Sequence, residues 1–134
     1  MNVEQQSVKE FHEAFDIAIA SHPEVPDWAT CRLRESLIEE EFKELKDAFM
    51  DQNIVLVADA LADLLYVVYG TAVSCGLDME PIFAEVHRSN MTKIGGHKRE
   101  DGKWIKPATY SPANIDQMID DQMVAAHIAA MDAI

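Results

Sequence analysis

The 134-residue chain has little cysteine, little glycine or proline and little positive charge. Its two cysteines, Cys31 and Cys75, are too few for a disulfide framework or a cysteine-based zinc site, so reduced thiols are expected. Five glycines and five prolines are few and cluster at breaks between periodic segments, which argues against a turn-rich β-protein and for an all-α fold. Only 11 Lys and Arg face 24 Asp and Glu. The net charge of −13 would repel a phosphate backbone, so nucleic acid is not an expected partner. The opening residues, MNVEQQSVKE, lack the basic and apolar regions of a signal peptide. The longest charge-free apolar piece, residues 64–77, is too short to span a bilayer. A cytoplasmic protein with no membrane partner is the expectation. A hydrophobic fraction of 49% excludes a disordered chain, and the length suits a single domain over residues 1–134.

What is present centres on residues 54–77, IVLVADALADLLYVVYGTAVSCGL, whose only charges are Asp59 and Asp63. As a helix this stretch stacks the two carboxylates one turn apart on one face. A helix that is apolar nearly all round is buried, and buried carboxylates are very unfavourable unless their charge is compensated. The compensator could be a Lys or Arg from a neighbouring helix, or a narrow solvated stripe. The preceding segment weakens both alternatives, because it adds carboxylates and few cations. Its helix, over residues 28–51, carries an apolar stripe of Ile38, Phe42, Leu45 and Phe49. Beside it runs a second stripe of Leu33, Leu37, Glu41, Glu44 and Ala48. Glu41 and Glu44 thus sit where core residues are expected, with Glu40 at the edge. The turn Asp51-Gln52-Asn53 is short enough to make the two helices antiparallel neighbours.

Further helices are expected over residues 3–20, 79–93 (core face Ile82, Phe83, Val86 and Met91) and 112–131, with a polar loop over 97–113. Asp27 or Thr30 can cap the second helix, Asp78 the fourth, and Ser111-Pro112 has the chemistry of a helix start. The last helix is rich in Ala and Met and reads as a packing or dimer-forming element.

Across the hairpin, Glu41, Glu44, Asp59 and Asp63 can converge. Carboxylates without a nearby cation suit a hard divalent ion, Mg²⁺ first and Mn²⁺ as a substitute. None of the five histidines follows a Glu by three positions, which argues against a di-iron bundle. Six of the eleven cations, Arg88, Lys93, Lys98, Arg99, Lys103 and Lys106, crowd into residues 88–106. In an acidic chain this local reversal of sign fits a polyphosphate clamp, although a solvated loop would look the same.

Glu40-Glu41-x-x-Glu44 followed by ALADLLYVV resembles the all-α nucleoside triphosphate pyrophosphohydrolases of the MazG type, which include phosphoribosyl-ATP pyrophosphohydrolase. The run VHRSNMTK and the K-x-x-x-Y-x-P of residues 106–112 extend the likeness over about residues 30–113. The resemblance implies a bundle of about five helices with a four-helix core completed by a homodimer or homotetramer. It implies Mg²⁺-dependent cleavage of a nucleoside triphosphate to the monophosphate and pyrophosphate. It places Glu40, Glu41, Glu44 and Asp63 in catalysis and nucleotide on Asn90, Lys93, Lys106 and Tyr110; with the helix geometry above, metal is expected on Glu41, Glu44, Asp59 and Asp63. Where the family has the Glu of ExxD, this chain has Ala60; Asp59 or a water would fill the gap. Phosphoribosyl-ATP as substrate, or a non-catalytic helical module with a vestigial site, are the alternatives.

Overall fold

The computed structural model describes all 134 residues and is built of five helices and their connecting segments, with one small hairpin. The elements are α1 (Val3–Ala14), α2 (Trp28–Met50), α3 (Ile54–Ser74), α4 (Met79–Met91), β1 (His97–Lys98), β2 (Trp104–Ile105) and α5 (Ile115–Asp132). Each helix starts on an Asn or Asp whose side chain accepts a hydrogen bond from a first-turn amide: Asn2, Asp27, Asn53, Asp78 and Asn114. The expected cap at Ser111-Pro112 is therefore displaced to Asn114, and α5 begins three residues late.

The first helix is shorter than its apolar pattern suggests. Asp16, at φ 54°, turns the chain out of helical geometry, and the following residues run back along α3. There the Ala20 and Glu24 amides donate to the Val73 and Cys75 carbonyls at 3.2 and 2.9 Å. Ile17 and Ile19 consequently belong to an extended strap. The strap presses on the end of α3 at Gly76, where φ is +68° and a Cβ would strike the His22 carbonyl. The polar loop is organised by the antiparallel β1–β2 pair.

The core lies where α1 and α2 pack on α3. It is built from small side chains, Ala48, Ala60, Ala72 and Val73, with Val8 from α1. The buried face of α2 runs through Arg34, Glu41 and Ala48; of the stripe containing the two glutamates, Glu41 is half-buried, while Glu44 and Leu33 are exposed, contrary to the core place expected of them. The Ile38-Phe42-Leu45-Phe49 stripe points largely outward, with Phe42 and Phe49 more than half exposed. On α4 only Ile82 is buried; Phe83, Val86 and Met91 are exposed. Large apolar side chains thus cover the outside of the molecule, whereas the sequence pattern had assigned several of them to the core.

One buried group has no counterpart in the sequence reading. Arg34 is 5% exposed yet faces no carboxylate. Its Nε donates to Thr71 Oγ1 (3.2 Å) and its Nη2 to the Val67 carbonyl (2.9 Å). Room for it comes from Gly70, over which both the guanidinium and the buried His12 ring lie.

Candidate active site

Antiparallel packing of α2 on α3 brings Glu41 and Glu44 of one helix against Asp63 of the other. Glu41, Glu44 and Asp63 each place a carboxylate oxygen within 4.8 Å of the other two. None of them takes part in an ion pair. Glu41 Oε2 is buried without any hydrogen-bond partner, an expensive arrangement for a polar atom. The Glu41 carboxyl is pushed up to about 7, by burial first and then by Glu44, Asp63 and Glu40. A set of oxygen donors with one orphaned atom and no protein cation is what a hard divalent ion requires, so the residues fit such an ion.

One expected member, Asp59, stands apart. It lies outside the group and lines a neighbouring cavity of about 190 Å³ with Glu44, Asp47 and Asp51. Glu40 is exposed at the rim. Ala60, 3% exposed, packs between the helices where a longer acidic side chain would have joined the cluster. In this arrangement Asp59 does not replace it.

The cationic half forms a second constellation on α4 and the segment after it. Lys106 Nζ lies 4.5 Å and Lys93 Nζ 6.0 Å from the Tyr110 ring centroid. The Tyr110 hydroxyl is held below the usual phenol range by its Ser89 hydrogen bond, with Lys106, Lys93 and Arg88 adding to this. Asn90, Lys93 and Trp104 line a shallow cavity of about 220 Å³, and Trp104 Nε1 donates to the Lys93 carbonyl at 2.6 Å. Two cations of the expected clamp are otherwise engaged. Arg88 is bidentate on Glu85 and also donates to Ser111 Oγ and the Pro112 carbonyl. Arg99 pairs with Asp101.

Sequence reasoning did not single out the residues that hold this segment. Ser89 Oγ donates to the Ser111 carbonyl (2.8 Å), and Thr92 Oγ1 accepts from the Ser111 amide (2.8 Å). Glu85, pushed down to about 2 by Arg88 and the Asn114 amide, fixes the start of α5. The alternation of hydroxyl residues within the run R-S-N-M-T-K was the available signal. α4 packs on α5 and makes little contact with α2 or α3, so the cationic constellation stands on a different part of the fold from the helix pair that carries the carboxylates.

Residues 8–90, more than half of the chain, match the phosphoribosyl-ATP pyrophosphohydrolase family model. The chain belongs to that family. The matched region contains both carboxylate-bearing helices and ends at Asn90 on α4. An uncharacterised protein of Acanthamoeba polyphaga mimivirus is 43% identical over 51 residues, which is 38% of this chain and 20% of that protein. The chain thus aligns with only about a fifth of that relative's length. That family is one of pyrophosphohydrolases of the MazG-like kind, hydrolases of acid anhydrides.

Proposed function

We propose that the protein is a Mg²⁺-dependent nucleoside triphosphate pyrophosphohydrolase of the cytoplasm, working as a homo-oligomer, with Mn²⁺ as an alternative ion. The observation that carries this reading is the Glu41, Glu44 and Asp63 cluster, with its orphaned oxygen and no protein cation. These three side chains would hold the ion; Asp59 supports it electrostatically from the adjoining cavity. A bound divalent ion supplies Lewis-acid stabilisation of phosphate oxygens and lowers the pKa of water.

The chain's own groups do the rest. Glu40, exposed beside the cluster, orients the attacking water and takes its proton. An O–P bond forms at the α-phosphorus while the bridging bond to the β-phosphate breaks, and pyrophosphate leaves with the electron pair. Lys93 and Lys106 neutralise charge on that leaving group, and Asn90 and Tyr110 position the nucleotide. α4 makes little contact with α2 and α3 within one chain, and a second copy would bring these cations to the carboxylates. The apolar face of α3, with Leu61, Leu65 and Val68 exposed, is where the copies meet to complete a four-helix core. That pairing also explains a helix that by length and composition alone could cross a membrane.

Phosphoribosyl-ATP carries the same α–β anhydride and is the second reading, favoured by the name of the matching family. Purified protein offered a panel of NTPs, dNTPs and phosphoribosyl-ATP with Mg²⁺ separates them. Pyrophosphate release from one nucleotide class is expected, and orthophosphate release alone would contradict α–β cleavage. Glu44→Gln or Asp63→Asn should lower the rate by at least ~100-fold, a loss of about 3 kcal/mol in transition-state stabilisation.

A further inference from the structure

Cys31 and Cys75 are free, half-buried thiols, and neither belongs to the carboxylate cluster or the cationic segment. Cys31 stands in the first turn of α2, and Cys75 is the residue on which α3 ends. Two sets of contacts bring them to one place. The first is the arginine bridge. Arg34 donates to Thr71 Oγ1 and to the Val67 carbonyl, which pins the start of α2 against the end of α3. Cys31 precedes Arg34 by three residues and Cys75 follows Thr71 by four, so each lies on the bridging face of its own helix, one turn away. Because the two helices run antiparallel, both steps lead to the same end of their interface. The second is the strap. The Cys31 thiol donates to the Pro26 carbonyl at 3.4 Å, and the Cys75 carbonyl accepts from the Glu24 amide at 2.9 Å. Glu24 and Pro26 are two positions apart, a span of at most about 7 Å. One short piece of backbone therefore touches both cysteines.

We propose that Cys31 and Cys75 form a modification site, a dithiol that a low-molecular-weight disulfide converts into an internal disulfide tying the first turn of α2 to the end of α3. One cysteine thiolate attacks a sulfur of the reagent, giving a mixed disulfide and expelling one reagent thiolate, which takes up a proton. The other cysteine thiolate attacks the protein sulfur of that mixed disulfide; the protein S–S bond forms and the second reagent thiolate leaves. The two cysteines give up two electrons and two protons, and the reagent is reduced to two thiols. The hydrogen bond from Cys31 to Pro26 is lost, and a thiol is a weak donor.

The surroundings suit a pair that is reduced at rest and oxidised on demand. Burial pushes the Cys75 thiol up, Cys31 adds to this, and the Arg34 guanidinium opposes it. A small thiolate fraction makes the pair slow towards scarce oxidant. The disulfide closes the loop from residue 31 to residue 75, which holds nearly all of α2 and α3, and so restricts the unfolded chain. The carboxylates are spared, since Glu41 lies about three turns along α2 from Cys31.

The test needs no enzymatic activity. The full chain is incubated with excess oxidised glutathione and then freed of reagent. Its intact mass should fall by two hydrogens, and digestion without reductant should yield one joined peptide pair, Cys31 with Cys75. The melting temperature should rise by roughly 10 °C, and dithiothreitol should reverse both changes. Cys31→Ser should take up at most one glutathione and show no such rise. If that variant folds poorly, Cys75→Ser serves in its place, and oxidised against reduced wild type is decisive without either. Glutathione on both cysteines with no internal bond, a disulfide between copies, or an oxidised form that melts no higher than the reduced one overturns the proposal.

Discussion

Gly70, His12 and Arg34 form a polar knot inside the helical core. Replacing Gly70 by Ala would gain up to ~1 kcal/mol of helix propensity. The added methyl, however, meets the buried guanidinium and lies 2.9 Å from His12 Nε2. Overpacking costs ~1–3 kcal/mol and broken hydrogen bonds add to it, so Gly70→Ala should destabilise by about 2 kcal/mol in urea unfolding. His12 titrates below its ordinary 6.5 because burial, aided by Arg34, disfavours the cation. The folded state then binds fewer protons than the unfolded one, and stability falls as the pH drops below 6.5. His12→Gln should flatten that part of a melting-temperature profile, if the bond to the Ala18 carbonyl is kept. Glu41 has the opposite sign. Its raised pKa means that metal-free protein loses stability as the pH rises from 4.5 towards about 7. Mg²⁺ should restore that loss in wild type and not in Glu44→Gln, measured by thermal shift with and without chelator. The half-buried place of Glu41 was readable from the sequence, because it interrupts an apolar stripe, whereas Glu44, expected beside it in the core, is exposed. The place of Arg34 was not readable, because an arginine near the start of a helix that also carries many charges gives no sign of burial.

Among the elements, α4 with its following segment is the most specifically fastened. Glu85, Arg88, Ser89 and Thr92 grip residues 111–114 and so aim Tyr110, Lys93 and Lys106. Glu85→Gln should loosen this grip. The expected signature is a several-fold rise in KM for nucleotide with kcat changed little, since Glu85 touches the positioning segment and not the carboxylate cluster. Helix existence and most boundaries were legible, because Asn and Asp caps stand at each start. The early end of α1 was not, because it depends on Asp16 adopting a left-handed conformation and on backbone bonds to α3. The outward turn of Phe42, Phe49 and Phe83 was also illegible: periodicity marks a face as apolar but not whether its cover lies in the same chain.

For the whole molecule, the separation of carboxylates from lysines makes a sharp prediction. Glu44→Gln and Lys93→Ala should each be nearly inactive alone. Mixed and reassorted, they should recover about a quarter of wild-type activity in a dimer, since half the pairs are mixed and one of two sites in each is intact. No recovery would place both halves of the site within one chain. Leu65→Asp, on the exposed α3 face, should dissociate the oligomer and lower activity with it. The residue pattern alone pointed to an all-α chain and to carboxylates gathered across two helices, because helical period, capping chemistry and charge are local properties, and the resemblance carried by the Glu40-Glu41-x-x-Glu44 and ALADLLYVV motifs pointed to the family. Only the folded arrangement could separate Asp59 from the triad, bury Arg34 and turn the largest apolar side chains outward. Each of those depends on which faces meet in space, and small residues such as Ala48, Ala60 and Gly70 set how closely the helices approach.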